Sequence, residues 1–293
     1  MAKLRITRRD LAGATFVAPA LLFFAVFLLF PTVAIFGLSF THWSGYNVSQ
    51  LTWAGLDNFH QFIHDPVVPT ALVHTLLFVV LTTVGLNVVG LGLALFVNAK
   101  LFGHELLRIA VFIPLGLSPV VSGVIFQRLV GPSGFVNEAL QAAHIIDRPI
   151  DFFQNAHLAF ATIVMVTVWQ FSGVNMLLYY AGLQSLPTEQ LEAAQIDGAR
   201  FWQQVRHVVI PYLRPVAAVA IVLNLIGGWK VFDIVYVLTR GGPARGTEVL
   251  GTYLYEQAFT YSLVGYGAVI AITILLCALL SSLVGRGIRG EVA

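Results

Sequence analysis

Six apolar runs, each about as long as a helix that crosses a bilayer, limit what this chain can fold into. They lie near residues 16–38, 71–97, 108–129, 158–180, 212–232 and 263–285. A helix rises about 1.5 Å per residue, so roughly 20 apolar residues span a hydrocarbon core about 30 Å thick. With 58% of its residues hydrophobic and 10% charged, the chain carries more apolar surface than a water-soluble domain of its length hides. The prediction is an all-α, polytopic membrane protein whose six transmembrane helices pack as a single domain over residues 1–293. Pro114 and Pro119 fall inside the third run. They are tolerable there only where neighbouring helices satisfy the backbone groups that proline frees.

Lys and Arg concentrate in short cytoplasmic loops, which orients the bundle. With the N-terminus inside, 11 of the 16 basic residues are cytoplasmic, Lys3, Arg5, Lys100 and Arg200 among them; Arg128, Arg148, Lys230, Arg240 and Arg245 are the 5 outside. Both termini then face the cytoplasm. Residues 1–38 share the outline of a secretory signal, basic residues before an apolar run. That run is too long and ends without a small-residue cleavage site, so it is expected to stay as the first span. The lone Cys277 supports neither a disulfide framework nor a metal cluster. The net charge of +2 sits largely on cytoplasmic edges and reports topology, with no sign of nucleic-acid binding.

The most polar connector on the cytoplasmic side is 186–211. Pro187 and Thr188 start a helix, Glu189 and Glu192 suit its positive N-terminal turn, and Gly198 takes the left-handed conformation that stops it. A second helix follows, which Pro211 is expected to end. The order Glu192-Ala193-Ala194, three residues, Gly198, nine residues, then Val208, Ile210 and Pro211 resembles the EAA motif of permeases of binding-protein-dependent ABC importers. Val208 and Ile210 stand where that family usually has Ile and Leu, and the apolar character is kept. Three further stretches look like the maltose-transporter branch: Trp53 to Phe59, Arg108 to Pro114 with Ser118 to Val121, and Tyr236 to Pro243. Together they cover nearly the whole chain.

The resemblance implies a cytoplasmic helix-Gly-helix coupling segment that docks into a groove on an ATPase. Glu192, Ala193, Ala194, Asp197, Gly198 and Pro211 would be its ATPase-coupling residues, with Glu192 paired to a basic residue of the ATPase. Leu191, Ala194 and Ile196 would supply small apolar contacts. The implied partners are a homologous second permease subunit, two copies of the ATPase, an external substrate-binding protein and the lipid bilayer of a prokaryotic cell membrane. The implied cargo is a sugar or related polyol, and no cofactor is implied.

No Gly-x-x-x-x-Gly-Lys-Ser/Thr loop occurs, so ATP hydrolysis is expected on a separate subunit and not on this one. Neither a Gly-x-Ser-x-Gly elbow nor a His-Glu-x-x-His helix is present, which leaves catalysis without support. His60 and His64 stand four apart beside Asp57 and Asp65. They read either as half of a metal site or as part of a short external helix with Phe59, Phe62 and Ile63 against the bundle; no metal is expected. Polar residues within spans are Trp169, Gln170, Asn175 and Tyr179 in the fourth, and Asn224 and Trp229 in the fifth, near Gly227-Gly228, where a helix break is expected. Amides and aromatic faces suit sugars, so these residues are candidates for a substrate path. The competing reading is hydrogen bonding between packed helices. The outer loops 39–70, 130–157 and 233–262 are either docking surfaces for a protein partner or lids over helix ends. A secondary transporter or channel working without an ATPase is the alternative function; it calls for coupling-ion carboxylates at midplane, which the spans scarcely offer.

Overall fold

The computed structural model describes residues 8–99 and 103–290. Lys3, Arg5 and Lys100, which weigh in the orientation, lie outside the described residues. The fold is all-helical but for one antiparallel pair of two-residue strands, and it divides into two compact units.

The first unit runs up to Asp65 and takes in Leu254–Thr273. It begins with α1 (Arg8–Phe24), a π-helical turn over Ala25–Leu29, and α2 (Phe30–Leu38). Phe16–Leu38 is apolar enough to cross a membrane, and its side chains, Phe16, Phe27 and Phe30 among them, are exposed as lipid-facing groups would be. β1 (Thr41–His42) pairs with β2 (Thr52–Trp53), Thr41 opposite Trp53. After them comes α3 (Asp57–His64). Its Phe59 packs on Phe40 with ring centroids 5.1 Å apart, but Ile63 is 75% exposed and does not face a core as expected. The rings of His60 and His64 lie 4.2 Å apart, with His64 Nδ1 2.8 Å from the His60 carbonyl oxygen.

The second unit, Pro66–Tyr253 and the chain from Ile274, holds α4 (Val67–Asn98), α5 (His104–Phe112), α6 (Pro119–Leu129), α7 (Phe135–Ala142), α8 (Ala156–Gln184), α9 (Thr188–Ile196), α10 (Phe201–Gln204), α11 (Ile210–Trp229) and α12 (Asp233–Leu238). α13 (Leu250–Tyr255) and α14 (Val264–Gly290) are each divided between the units. One apolar cluster joins α4, α8 and α11 through Ala94, Met176, Leu183, Val209 and Leu213. Another joins α4, α8 and α12 through Phe78, Ile163, Val166, Ile234 and Val235. The segments 130–157 and 233–262 are braced. Asn137 donates to the Gly131 and Ile150 carbonyls, each at 2.9 Å, and accepts from the Ile150 N–H at 2.7 Å. Arg245 meets the buried Glu248 carboxylate at 3.1 Å, and the Thr252 hydroxyl donates to the same carboxylate.

Two expectations about spans change. Among the described residues five helical runs are long and apolar enough to cross a membrane, and six when the third run counts as one span; that run is not one helix but a bent pair, His104–Gly116 and Pro119–Leu129, folded by 107°. Pro114 and Pro119 cannot donate to a helical ladder, and Ser118 caps the new helix by accepting from the Val121 N–H. The carbonyl freed at Leu117 accepts from Gln170 Nε2 of α8 at 2.9 Å, which is the neighbour's help that an interrupted span requires.

The second expectation concerns Pro211, which does not end its helix. Phe201–Trp229 is one helical run, passing Pro211 by a π turn over Val205–Val209 in which the Ile210 N–H reaches back to the Val205 carbonyl. The wider turn makes room for the ring where an α turn would bring it against a carbonyl. The same device precedes Pro31, where the Phe30 N–H bonds to the Ala25 carbonyl. The helix break expected at Gly227-Gly228 falls instead after Trp229, at Lys230 to Phe232.

Candidate functional site

The elbow within 186–211 is built by two helix-end devices. α9 ends in a Schellman motif: the Ala199 N–H bonds to the Ala194 carbonyl and the Gly198 N–H to the Gln195 carbonyl, both at 2.9 Å. That closure needs positive φ at Gly198, which has +79°. α10 then starts with Gln203 Oε1 accepting from the Arg200 N–H at 2.7 Å, while Gln204 Nε2 donates to the Ala199 carbonyl at 2.7 Å. Tyr212 Oη donates to the Ser185 carbonyl at 2.6 Å and ties the start of α11 to the end of α8.

The two faces of this elbow differ. Leu191 turns inward onto the Leu183, Leu186 and Val209 cluster, so it supports the elbow and does not offer a contact outward as expected. Glu192, Ala193, Asp197 and Gly198 are exposed, and Ala194 is half-buried. Ile196 is 86% exposed, Trp202 74% and Phe201 52%. Phe201 and Trp202 meet edge to face at 5.3 Å. Neither aromatic stands in the quoted motif. The signal for both was in the sequence, as two large apolar residues directly after a helix stop in an otherwise polar segment. Exposed apolar side chains and an exposed carboxylate on one short segment offer the apolar anchors and the charge that protein docking uses.

The second feature is a cavity of about 340 Å³ in the second unit. Phe78, Thr82 and Leu86 of α4, Thr167, Phe171 and Val174 of α8, and Leu223, Asn224 and Gly228 of α11 line it; Pro119 at one helix break and Lys230 to Ile234 at the other complete the wall. Helix breaks expose backbone, and in a membrane protein they are tolerated where they border a cavity. Asn224 Nδ2 is buried there without a hydrogen-bond partner, a donor free for a solute or water.

The remaining path candidates stand elsewhere. Gln170 holds the Leu117 carbonyl. Tyr179 Oη donates to Asn87 Oδ1 at 2.5 Å, and Asn87 in turn donates to the Thr83 carbonyl at 2.7 Å. Trp229 Nε1 donates to Ser281 Oγ at 2.7 Å. Trp169 packs edge-on against Phe126 at 4.9 Å. Asn175 is 1% exposed between α4 and α8, its Nδ2 also without a partner. The cavity-facing positions of α8 are 167, 171 and 174, spaced as one helical face; the conspicuous polar residues lie off that face.

The family described as "binding-protein-dependent transport system inner membrane component" matches residues 86–289. The arabinooligosaccharides transport system permease protein AraP of Bacillus subtilis (strain 168) is 34% identical over 280 residues, covering 94% of this chain and 88% of its own. The lactose transport system permease protein LacF of Rhizobium radiobacter is 33% identical over 255 residues, covering 86% and 85%. A chain of the bacterial alginate ABC transporter, solved in complex with an alginate pentasaccharide-bound periplasmic protein, shares the fold with a TM-score of 0.83 at 22% identity. The likeness covers 97% of this chain and 96% of that one.

Proposed function

The chain belongs to the family of binding-protein-dependent transport system inner membrane components, and from that premise we propose that it is the translocation subunit of an ATP-driven importer for a neutral sugar or related polyol. An external binding protein delivers the solute, a homologous second permease completes the path, and two ATPase copies dock on the elbows from the cytoplasm. The observation that carries this reading is the unbroken helical run Phe201–Trp229, which starts at the exposed elbow and ends on the cavity wall. Movement imposed on Phe201 and Trp202 by an ATPase is carried along this run, past the π turn and Pro215, to Asn224.

ATP-driven closure of the ATPases draws the two elbows together and turns the path outward, and hydrolysis resets it. In the cavity, Phe78, Phe171 and Phe232 offer apolar faces to sugar C–H groups, and Asn224, Thr82 and Thr167 offer polar atoms to hydroxyls. The names of AraP and LacF, relatives by sequence over most of the chain, support the sugar class. The test is reconstitution of the complete complex in vesicles with a panel of sugars. The expected result is sugar-stimulated ATP hydrolysis with uphill uptake, and no uphill uptake by this chain alone. Ion-driven uptake by the chain alone would overturn the reading in favour of a secondary transporter.

A further inference from the structure

The first unit contains a separate cavity of about 280 Å³ between the β1–β2 pair, α3 and the start of α14. Its base is fixed from several sides. Asn58 Nδ2, buried at 3% exposure, donates to the Ser39 and Thr41 carbonyls, each at 2.9 Å. The Val264 N–H bonds to the Trp43 carbonyl at 3.1 Å. Gly265 lies so close to the Thr41 carbonyl that a Cβ there would overlap it, and Tyr266 Oη donates to Asp65 Oδ2 at 2.5 Å.

The rim has a distinctive chemistry. His42, Ser44, Gln50, Thr52, Gln61 and Ser262 line it together with the Trp43 indole, and no Asp, Glu, Lys or Arg does. Trp43 Nε1 donates to the Asn47 carbonyl at 3.0 Å, which holds the ring in place. Ser262 adopts φ of +58°, an uncommon conformation for a residue with a side chain, immediately after the π turn Glu256–Thr260 and Tyr261. Backbone strain and π turns both concentrate at sites that bind or switch.

We propose that this cavity is a carbohydrate subsite that takes one neutral sugar ring, distinct from the cavity bordered by Asn224. Hydroxyls and amides supply donors and acceptors together, as ring hydroxyls demand, and an indole supplies an apolar face. Small-molecule sites run from about 300 to 1,000 Å³, and this volume, just below that range, limits the occupant to a single ring. The lining holds no Lys or Arg, and the carboxylate beside it, Asp57, lies 3.5 Å from His42 Nε2, which disfavours uronates and sugar phosphates. The choice of a sugar over other neutral polar solutes rests on the importer reading above.

The test uses the complete complex in vesicles. Cys277 is the sole cysteine, so Cys277→Ser provides a background in which Gln50→Cys, Gln61→Cys and, as an exposed control outside the cavity, Tyr46→Cys are labelled one at a time with an impermeant maleimide. Maltose, lactose and arabinobiose are added without binding protein. At a sugar concentration about ten times its Kd, mass action slows labelling at both cavity positions roughly tenfold and leaves Tyr46→Cys unchanged. Unaltered labelling at Gln50→Cys and Gln61→Cys with every sugar that stimulates ATP hydrolysis would overturn the subsite, and so would protection by sugar-free binding protein alone. Sugar-stimulated hydrolysis is measured in a second portion of the same vesicles with binding protein supplied, so loss of the importer reading is distinguished from loss of this one.

Discussion

At the scale of single residues, similar-looking polar positions have separate duties. Glu192 is exposed one helical turn before the exposed Ile196, and in the proposed function its value lies in the docked state. Truncating one member of a hydrogen-bonded interfacial ion pair costs on the order of 2–5 kcal/mol. Glu192→Ala is therefore expected to abolish sugar-stimulated ATP hydrolysis while the pair of permeases still assembles, as measured by co-purification. Gly198 differs: nothing lies within 4 Å of where a Cβ would sit, so Gly198→Ala meets only the cost of positive φ, about 1–2 kcal/mol. Coupling should fall in Gly198→Ala and recover in Gly198→Asn, since Asn visits that conformation more readily. Gln170→Leu leaves the Leu117 carbonyl without its donor, a loss of about 1–3 kcal/mol; Tm should drop with KM for uptake unchanged, whereas a solute contact would move KM. The amide's identity was legible in the sequence and its duty was not, because its partner is 53 positions away across a helix break.

Elements were legible where periodicity and capping agree. α9, its Gly198 stop and the four long apolar runs after the first follow from the residues in them, since each depends on local backbone preference. Proline was harder to read. Pro211 looks like a terminator, yet the π turn before it carries the helix past, and whether a chain ends or widens there depends on the packing of Val205 and Val209, both buried. Pro211→Ala allows that turn to close into an α turn, shifting the elbow by one residue, or about 100°, around the axis of the following span. Expected is a protein of equal or higher Tm that has lost coupled transport, checked by thermal unfolding beside ATPase stimulation. In the third run two prolines and Ser118 do break the helix, because there a neighbouring side chain receives the freed carbonyl.

For the whole molecule, composition gave the membrane class, and the motif spacing gave the family; the cavities were invisible because residues from α4, α8, α11 and two helix breaks meet only in space. The orientation from basic residues is open to direct measurement. Trp202→Cys in the Cys277→Ser background should react with impermeant maleimide in inside-out vesicles and resist it in right-side-out cells, with Tyr46→Cys showing the reverse. The run Phe201–Trp229 has a mechanical consequence of its own. Its 29 residues make a continuous helical lever roughly 43 Å long. Tilted by on the order of 10° about its middle, each end swings by about 4 Å in opposite directions. In the proposed importer a modest stroke at the elbow end thus moves the cavity wall around Asn224 by a similar distance.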